Sequence, residues 1–241
     1  MAPSEDDGLI VGDPLTVRQR QLVLASLVGF GMLYLAAGIA LGTPPKASDT
    51  GAVVVAWFQH NGGHIRTWSW LLTVGLPLFA VFAALIRRVL LPVYRDVFFF
   101  GAIAFVVEIA VQGWIWSGLA LHARHLEPAT ARTLLDVASY WGPVLISATV
   151  MTLAPVALLA LGERAGLPRW LGIVTLVALV EQLVETITLF GSHGFIEPGG
   201  PMNLFVGAGL TALAWLSLAV AVSRPSRGGT AAPVAQSPIG A

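Results

Sequence analysis

The chain has 241 residues, 56% of them hydrophobic and only 11% charged, with a mean hydropathy of +0.79. Soluble domains carry about a quarter charged residues, so the composition points to a membrane protein whose first partner is the lipid bilayer. The 13 basic and 13 acidic residues cancel, which offers no surplus charge to a nucleic acid, and the absence of Cys excludes disulfides, thiolate metal ligands and cysteine nucleophiles.

In chain order, residues 1–12 are acidic and contain Gly and Pro, a composition that cannot bury enough apolar surface to fold alone, and they are expected to be disordered. Asp13 and Pro14 have the character of a helix cap and first turn. The first apolar run, Gln21–Leu41, is long enough to cross a bilayer, which takes about 20 residues. It is read as a mature helix and not as a signal peptide, because Glu5, Asp6, Asp7 and Asp13 stand where a basic region would precede a signal. Pro44 and Pro45 stop it. Ser48 or Asp49 can cap a new helix, and Val53, Val54, Trp57 and Phe58 at helical spacing predict a short helix over Gly51 to Gln59, lying in the membrane interface. Asn61-Gly62-Gly63 then reads as a turn into the second span, Thr67–Ile86.

The third span is Val97–Leu121, the fourth Leu134–Leu161, the fifth Trp170–Phe190 and the sixth Met202–Val222. Pro77, Pro143 and Pro155 lie inside spans two and four, where neighbouring helices can re-satisfy freed carbonyls, and predict kinks there. The short connections Arg87–Asp96 and Gly162–Arg169 make sequential helices antiparallel neighbours. Residues 13–222 form one six-helix domain in this reading, and the Pro-, Gly- and Ala-rich tail 223–241 is expected to be disordered. The predicted fold is therefore all-α, a polytopic bundle of six transmembrane helices with an interfacial helix after the first.

Charge sets the expected orientation. With the N-terminus in the cytoplasm, Arg18, Arg20, Arg87, Arg88, Arg95, Arg164, Arg169, Arg224 and Arg227 fall inside, and Lys46, Arg66, Arg124 and Arg132 fall outside. The excess of basic residues on one side predicts a cell-membrane protein with both termini cytoplasmic.

Three carboxylates lie within spans: Glu108, Glu181 and Glu185. Charged groups at bilayer depth cost several kcal/mol and usually face a bundle interior. Glu181 and Glu185, like Glu108 and Gln112, are four residues apart and share a helix face. The simplest account is interhelical hydrogen bonding, for instance from Glu108 to Gln182 or Thr186. The functional account makes Glu108, Glu181 and Glu185 candidate catalytic or ligand-holding acids, with Gln112, Trp114, Trp116, Asp136 and Tyr140 as candidate ligand contacts. Trp114 and Trp116 face different sides of one helix, so one of them points inward.

All five histidines fall on the expected outer side. His60/His64 and His122/His125 have spacings that can donate two ligands each, and with His193 they are a candidate site for Zn, Cu or Fe. No named metal signature is present, and no motif in the chain requires a cofactor. Gly29-Phe30-Gly31 and Gly207-Ala208-Gly209 read as close helix packing.

Arg66-Thr-Trp-Ser-Trp70, Ala131-Arg-Thr-Leu-Leu-Asp136, Leu167-Pro-Arg-Trp-Leu-Gly172 and Gly194-Phe-Ile-Glu-Pro-Gly-Gly200 together resemble a widespread actinobacterial group of six-helix membrane proteins of unknown function, over residues 49–224. The resemblance implies fold and topology and transfers no catalytic residue. Polar groups at depth beneath a belt of Trp and His make the leading expectation the binding of a small lipophilic or cationic ligand in an outward-facing cavity lined by Glu108, Gln112, Glu181 and Glu185. The rivals are acid–base chemistry on a lipid or isoprenoid by a buried Glu, a metal-binding role for the histidines, and proton-coupled transport. Transport is weakened by the absence of an internal repeat.

Overall fold

The computed structural model describes residues 15–162 and 167–224, so Asp13, Pro14, Arg164 and Arg227 lie outside the described residues, as do residues 1–12 and all of the tail beyond Arg224. Among the described residues seven α-helices carry the fold: α1 (Val17–Leu41), α2 (Gly51–Val89), α3 (Pro92–His122), α4 (Pro128–Ser139), α5 (Trp141–Leu161), α6 (Arg169–Glu185) and α7 (Ala208–Ser223). The last helix thus runs one residue into the segment expected to be disordered. Six helical stretches are long and apolar enough to cross a membrane, α4 and α5 counting together as one, and the chain is an all-α, multi-pass membrane bundle. Exposed apolar side chains such as Phe100, Ile103 and Val107 on α3 and Val177, Val180 and Val184 on α6 form the face that such a bundle turns to lipid.

The helix starts follow local chemistry. Thr16 caps α1 in a reciprocal box with Gln19, Thr50 caps α2, and Glu127 caps α4 by accepting from Thr130 N at 2.8 Å. The backbone N–H groups of Thr130 and Ala129 hold the Glu127 carboxyl below its ordinary pKa. Thr50, not Ser48 or Asp49, is the α2 cap; Asp49 instead closes the preceding turn, accepting from Lys46 N at 2.8 Å.

The structure corrects the reading of the segment after α1. Gly51 to Gln59 is helical, as expected, but it continues without a break through Asn61-Gly62-Gly63 into the second span. The Asn61 amide donates to Trp57 O within the helix, and Gly62 packs near Ala120 O, so tertiary packing overrides a local turn signal. At 39 residues α2 is about 58 Å long, far more than the roughly 30 Å hydrocarbon core, and its first turns overhang the bundle.

The overhang supports α4, the short amphipathic helix that precedes the fourth span. This helix buries Ala131, Leu135 and Ala138 while packing on α2 and α3. The Arg132 guanidinium ties it down by donating to Lys46 O at 2.9 Å and pairing with Asp136. The sequence predicts a fourth span that begins at Leu134 and kinks at Pro143. Instead α4 ends at Ser139 and α5 begins at Trp141, since Pro143 lacks an N–H and its ring conflicts with the carbonyl four residues back, that of Ser139. Pro77 and Pro155 stay inside α2 and α5.

The six spans form a closed ring in which α1 packs on α2, α2 on α3, α3 on α5, α5 on α6, α6 on α7, and α7 back on α1. The innermost is α5, with 61% of its apolar window buried against 28–33% for the others. Inside the ring Phe79 stacks at 4.7 Å on both Phe105 and Trp215 and at 5.1 Å on Phe30. At one face the start of α1 meets the end of α7: Ser223 Oγ donates to Arg20 O at 3.1 Å, and Arg20 donates to Arg224 O at 3.3 Å.

Candidate ligand-binding cavity

The candidate site lies in the half of the bundle away from the junction of α1 and α7. A cavity of about 530 Å³ lies between α1, α5, α6 and the last span, with Phe30, Phe105 and Trp215 at its base. Its walls are mainly aliphatic and aromatic. Polar groups come from Thr149 on α5, Gln182 and Glu185 on α6, and Asn203 and Thr211 on the last span.

Apart from Thr211, whose hydroxyl is buried without a partner, those polar groups are joined. The Gln182 amide donates to Glu185 Oε2 at 2.6 Å and to Glu181 Oε2 at 3.0 Å, while its carbonyl accepts from the Thr149 hydroxyl. Asn203 Nδ2 donates to the other Glu185 oxygen, Oε1, and Asn203 Oδ1 accepts from Gly199 N at 2.9 Å. Gly199 has φ +70°, a conformation that Gly adopts without strain. Glu185 therefore has an amide donor on each oxygen and is only 3% exposed. Below this network, Thr152 accepts from Trp215 Nε1 at 3.1 Å and fixes the indole at the cavity base.

Backbone geometry makes room for this arrangement. The sixth span opens with a π-helical segment, Met202–Gly207. Single turns of this kind are frequent at functional sites. A Cβ on Gly207 would collide with the Glu185 carboxylate, which occupies the space a side chain would fill. The glycine pairs read as close packing divide in two. Gly29 and Gly207 do pack, against Leu78 and Glu185, whereas Gly31 and Gly209 line the cavity and a Cβ on either would meet nothing within 4 Å.

Of the four polar residues expected to line a cavity, only Glu185 does so. Glu181 is half-buried beside it and shares the Gln182 donor. Glu108 stands apart on α3, half-buried, and its Oε2 has no hydrogen-bond partner. The expected bonds from Glu108 to Gln182 or Thr186 are not formed: Gln182 is engaged as above, and Thr186 donates to Leu183 O. Gln112 is buried but lies outside the cavity wall. Trp116 is the inward-facing member of its pair and Trp114 is 71% exposed, yet Trp116 packs with Trp57, Phe58 and Trp68 between α2 and α3. Asp136 serves the Arg132 tether, and Tyr140 marks the α4–α5 break, so neither reaches the cavity.

The histidines do not converge. Among the described residues no three His, Asp or Glu side chains come together in a way that could hold a metal. His60, His122 and His125 are exposed. His64 Nδ1 lies 3.0 Å from Ala40 O, and His193 Nδ1 lies 2.8 Å from Ser192 Oγ.

Asn203, Thr149, Gly31, Gly209, Trp141 and Trp215 belong to the cavity without having stood out in the sequence as ligand contacts. Asn203 had a legible signal, as a lone amide at the mouth of an apolar span. The π-helical turn that aims it at Glu185 had none. Glu197, in the loop before the last span, is a second buried carboxylate.

Fold and site together define a polytopic α-helical membrane protein with an apolar cavity built around one buried, fully hydrogen-bonded carboxylate. Comparison with family models, curated proteins and solved structures gives no match, so the functional reading rests on this geometry.

Proposed function

We propose that this is a multi-pass protein of the cell membrane, with both termini in the cytoplasm, that binds a small lipophilic ligand in the outer-leaflet half of its bundle. The carrying observation is the cavity itself: about 530 Å³ of mainly apolar space with Glu185, Gln182 and Asn203 gathered on one wall. Ligand sites have this make-up, an apolar enclosure of about 300–1,000 Å³ with a few convergent polar groups that fix orientation. The rim residues Met32 and Leu35 on α1 and Leu204 and Leu216 on the last span are exposed on the lipid-facing surface. A lipophilic molecule would therefore enter sideways from the bilayer.

Both oxygens of Glu185 accept from side-chain amides, and these bonds hold the carboxyl group in one orientation on the cavity wall.

Gly31 provides the test, because a side chain there would project into the cavity and not into protein. Native mass spectrometry of protein purified in mild detergent should show a co-purifying lipophile on the wild type. Gly31→Phe should lose it while melting at or above the wild-type temperature, since replacing a helical Gly removes a backbone entropy cost. Equal occupancy of wild type and Gly31→Phe would end the proposal.

A further inference from the structure

We infer that the ligand is an organic cation, a lipophilic ammonium or a species of the same chemistry; this rests on the cavity being a binding site and adds the identity of its occupant. Glu185 and Glu181 sit four residues apart on one face of α6, bridged by a neutral amide. The polar neighbours of Glu185 in this network are amides, a hydroxyl and a second acid, Glu181, and none of them carries a positive charge. Among the described residues that line the cavity there is no Lys or Arg, and the ion pairs of Arg87 and Arg132 lie elsewhere. A carboxylate desolvated without a countercharge is costly, and a cationic ligand would supply the positive charge that the two acids of α6 lack.

The remaining walls suit a cation that carries apolar substituents. Phe30, Tyr34, Phe105, Trp141 and Trp215 all line the cavity. Phe105 and Trp215 meet edge to face at 5.0 Å and 89°, an arrangement that leaves ring faces turned in different directions. Aromatic faces attract cations, most strongly when water is excluded, and aromatic enclosures are the usual recognition device for quaternary ammonium groups. An anionic ligand would be repelled by Glu185, and the Gln182 and Asn203 amides that could compensate are already committed to that carboxylate. A neutral hydrocarbon would fill the apolar walls and gain nothing from the carboxylate.

The test compares benzyltrimethylammonium with neopentylbenzene, which has the same shape and differs only in carrying carbon where the cation carries nitrogen. Each is titrated against full-length protein in mild detergent, and the rise in melting temperature is followed to saturation. The cation should reach half-saturation at roughly one tenth of the concentration its isostere needs or lower, a ratio equivalent to about 1.4 kcal/mol or more. Glu185→Gln should bring the two probes to similar concentrations, and Gly209→Leu, which fills the cavity but leaves Glu185 intact, should abolish the response to both. If both probes stabilise the wild type equally and Gly209→Leu removes both effects, the cation inference is overturned while the cavity remains a binding site. If neither probe responds to Gly209→Leu, or neither stabilises the wild type, both readings fall. The wild-type comparison of the two probes stands even if Glu185→Gln does not fold.

Discussion

At the residue scale, the most consequential bond in the molecule joins Asn203 to Glu185. Desolvation makes its loss asymmetric: removing one partner strands the other, at a cost of about 1–3 kcal/mol, whereas removing both can be nearly neutral. Asn203→Leu should therefore lower the thermal unfolding temperature clearly, because Glu185 Oε1 loses its close donor inside a wall that offers no substitute. The double variant Asn203→Leu with Glu185→Leu should recover part or all of the loss. A single variant as stable as the wild type, or a double variant whose loss is the sum of the two singles, would show that the bond is not coupled as described. The same asymmetry explains the legibility of this residue. Glu185 could be singled out from sequence, since an acid in an apolar span demands partners. Which partners answered could not, because Asn203 is 18 positions away and is aimed by a π-helical turn that leaves no compositional mark.

At the element scale, α2 poses a conflict between local and tertiary preference. Asn61-Gly62-Gly63 carries the residues of a turn, and Gly in a helix costs about 1 kcal/mol relative to Ala, yet the helix passes straight through. The overhang explains it, since Val54, Phe58 and Ile65 are fully buried on either side of the two glycines and hold the register across them. Substitution can separate the two descriptions. Gly63 has open space where a Cβ would stand and no positive φ, so Gly63→Ala should stabilise by about 0.5–1 kcal/mol if the helix is continuous. A turn would need φ values that Ala tolerates poorly, and the same change would then destabilise; thermal melts of the two proteins decide. The spans were legible because hydropathy integrates over about 20 residues, and their packing order followed from short connections. The α4–α5 break and the continuity of α2 turn on one Pro and two Gly, where a single local signal is outvoted or decisive according to packing that the sequence does not display.

At the scale of the whole molecule, the position of the cavity relative to the two membrane faces determines where its ligand comes from. The start of α1 and the end of α7 meet at one face, and Arg20, Arg87, Arg95, Arg169 and Arg224 lie at helix ends or connections toward that face. The excess of basic residues there argues for the cytoplasm, which would put Glu185, near the opposite end of α6, in the outer leaflet. The absence of native Cys allows a direct check with single introduced cysteines. Ser192→Cys, in the exposed loop after α6, should react with a membrane-impermeant maleimide on intact cells. Val93→Cys, 73% exposed at the start of α3, should react only after the cells are broken. The reverse pattern would invert the bundle and open the cavity to the inner leaflet. Its carboxylate would then face cations drawn from the cytoplasmic side, and the search for a ligand would move from molecules that reach the cell from outside to those it makes.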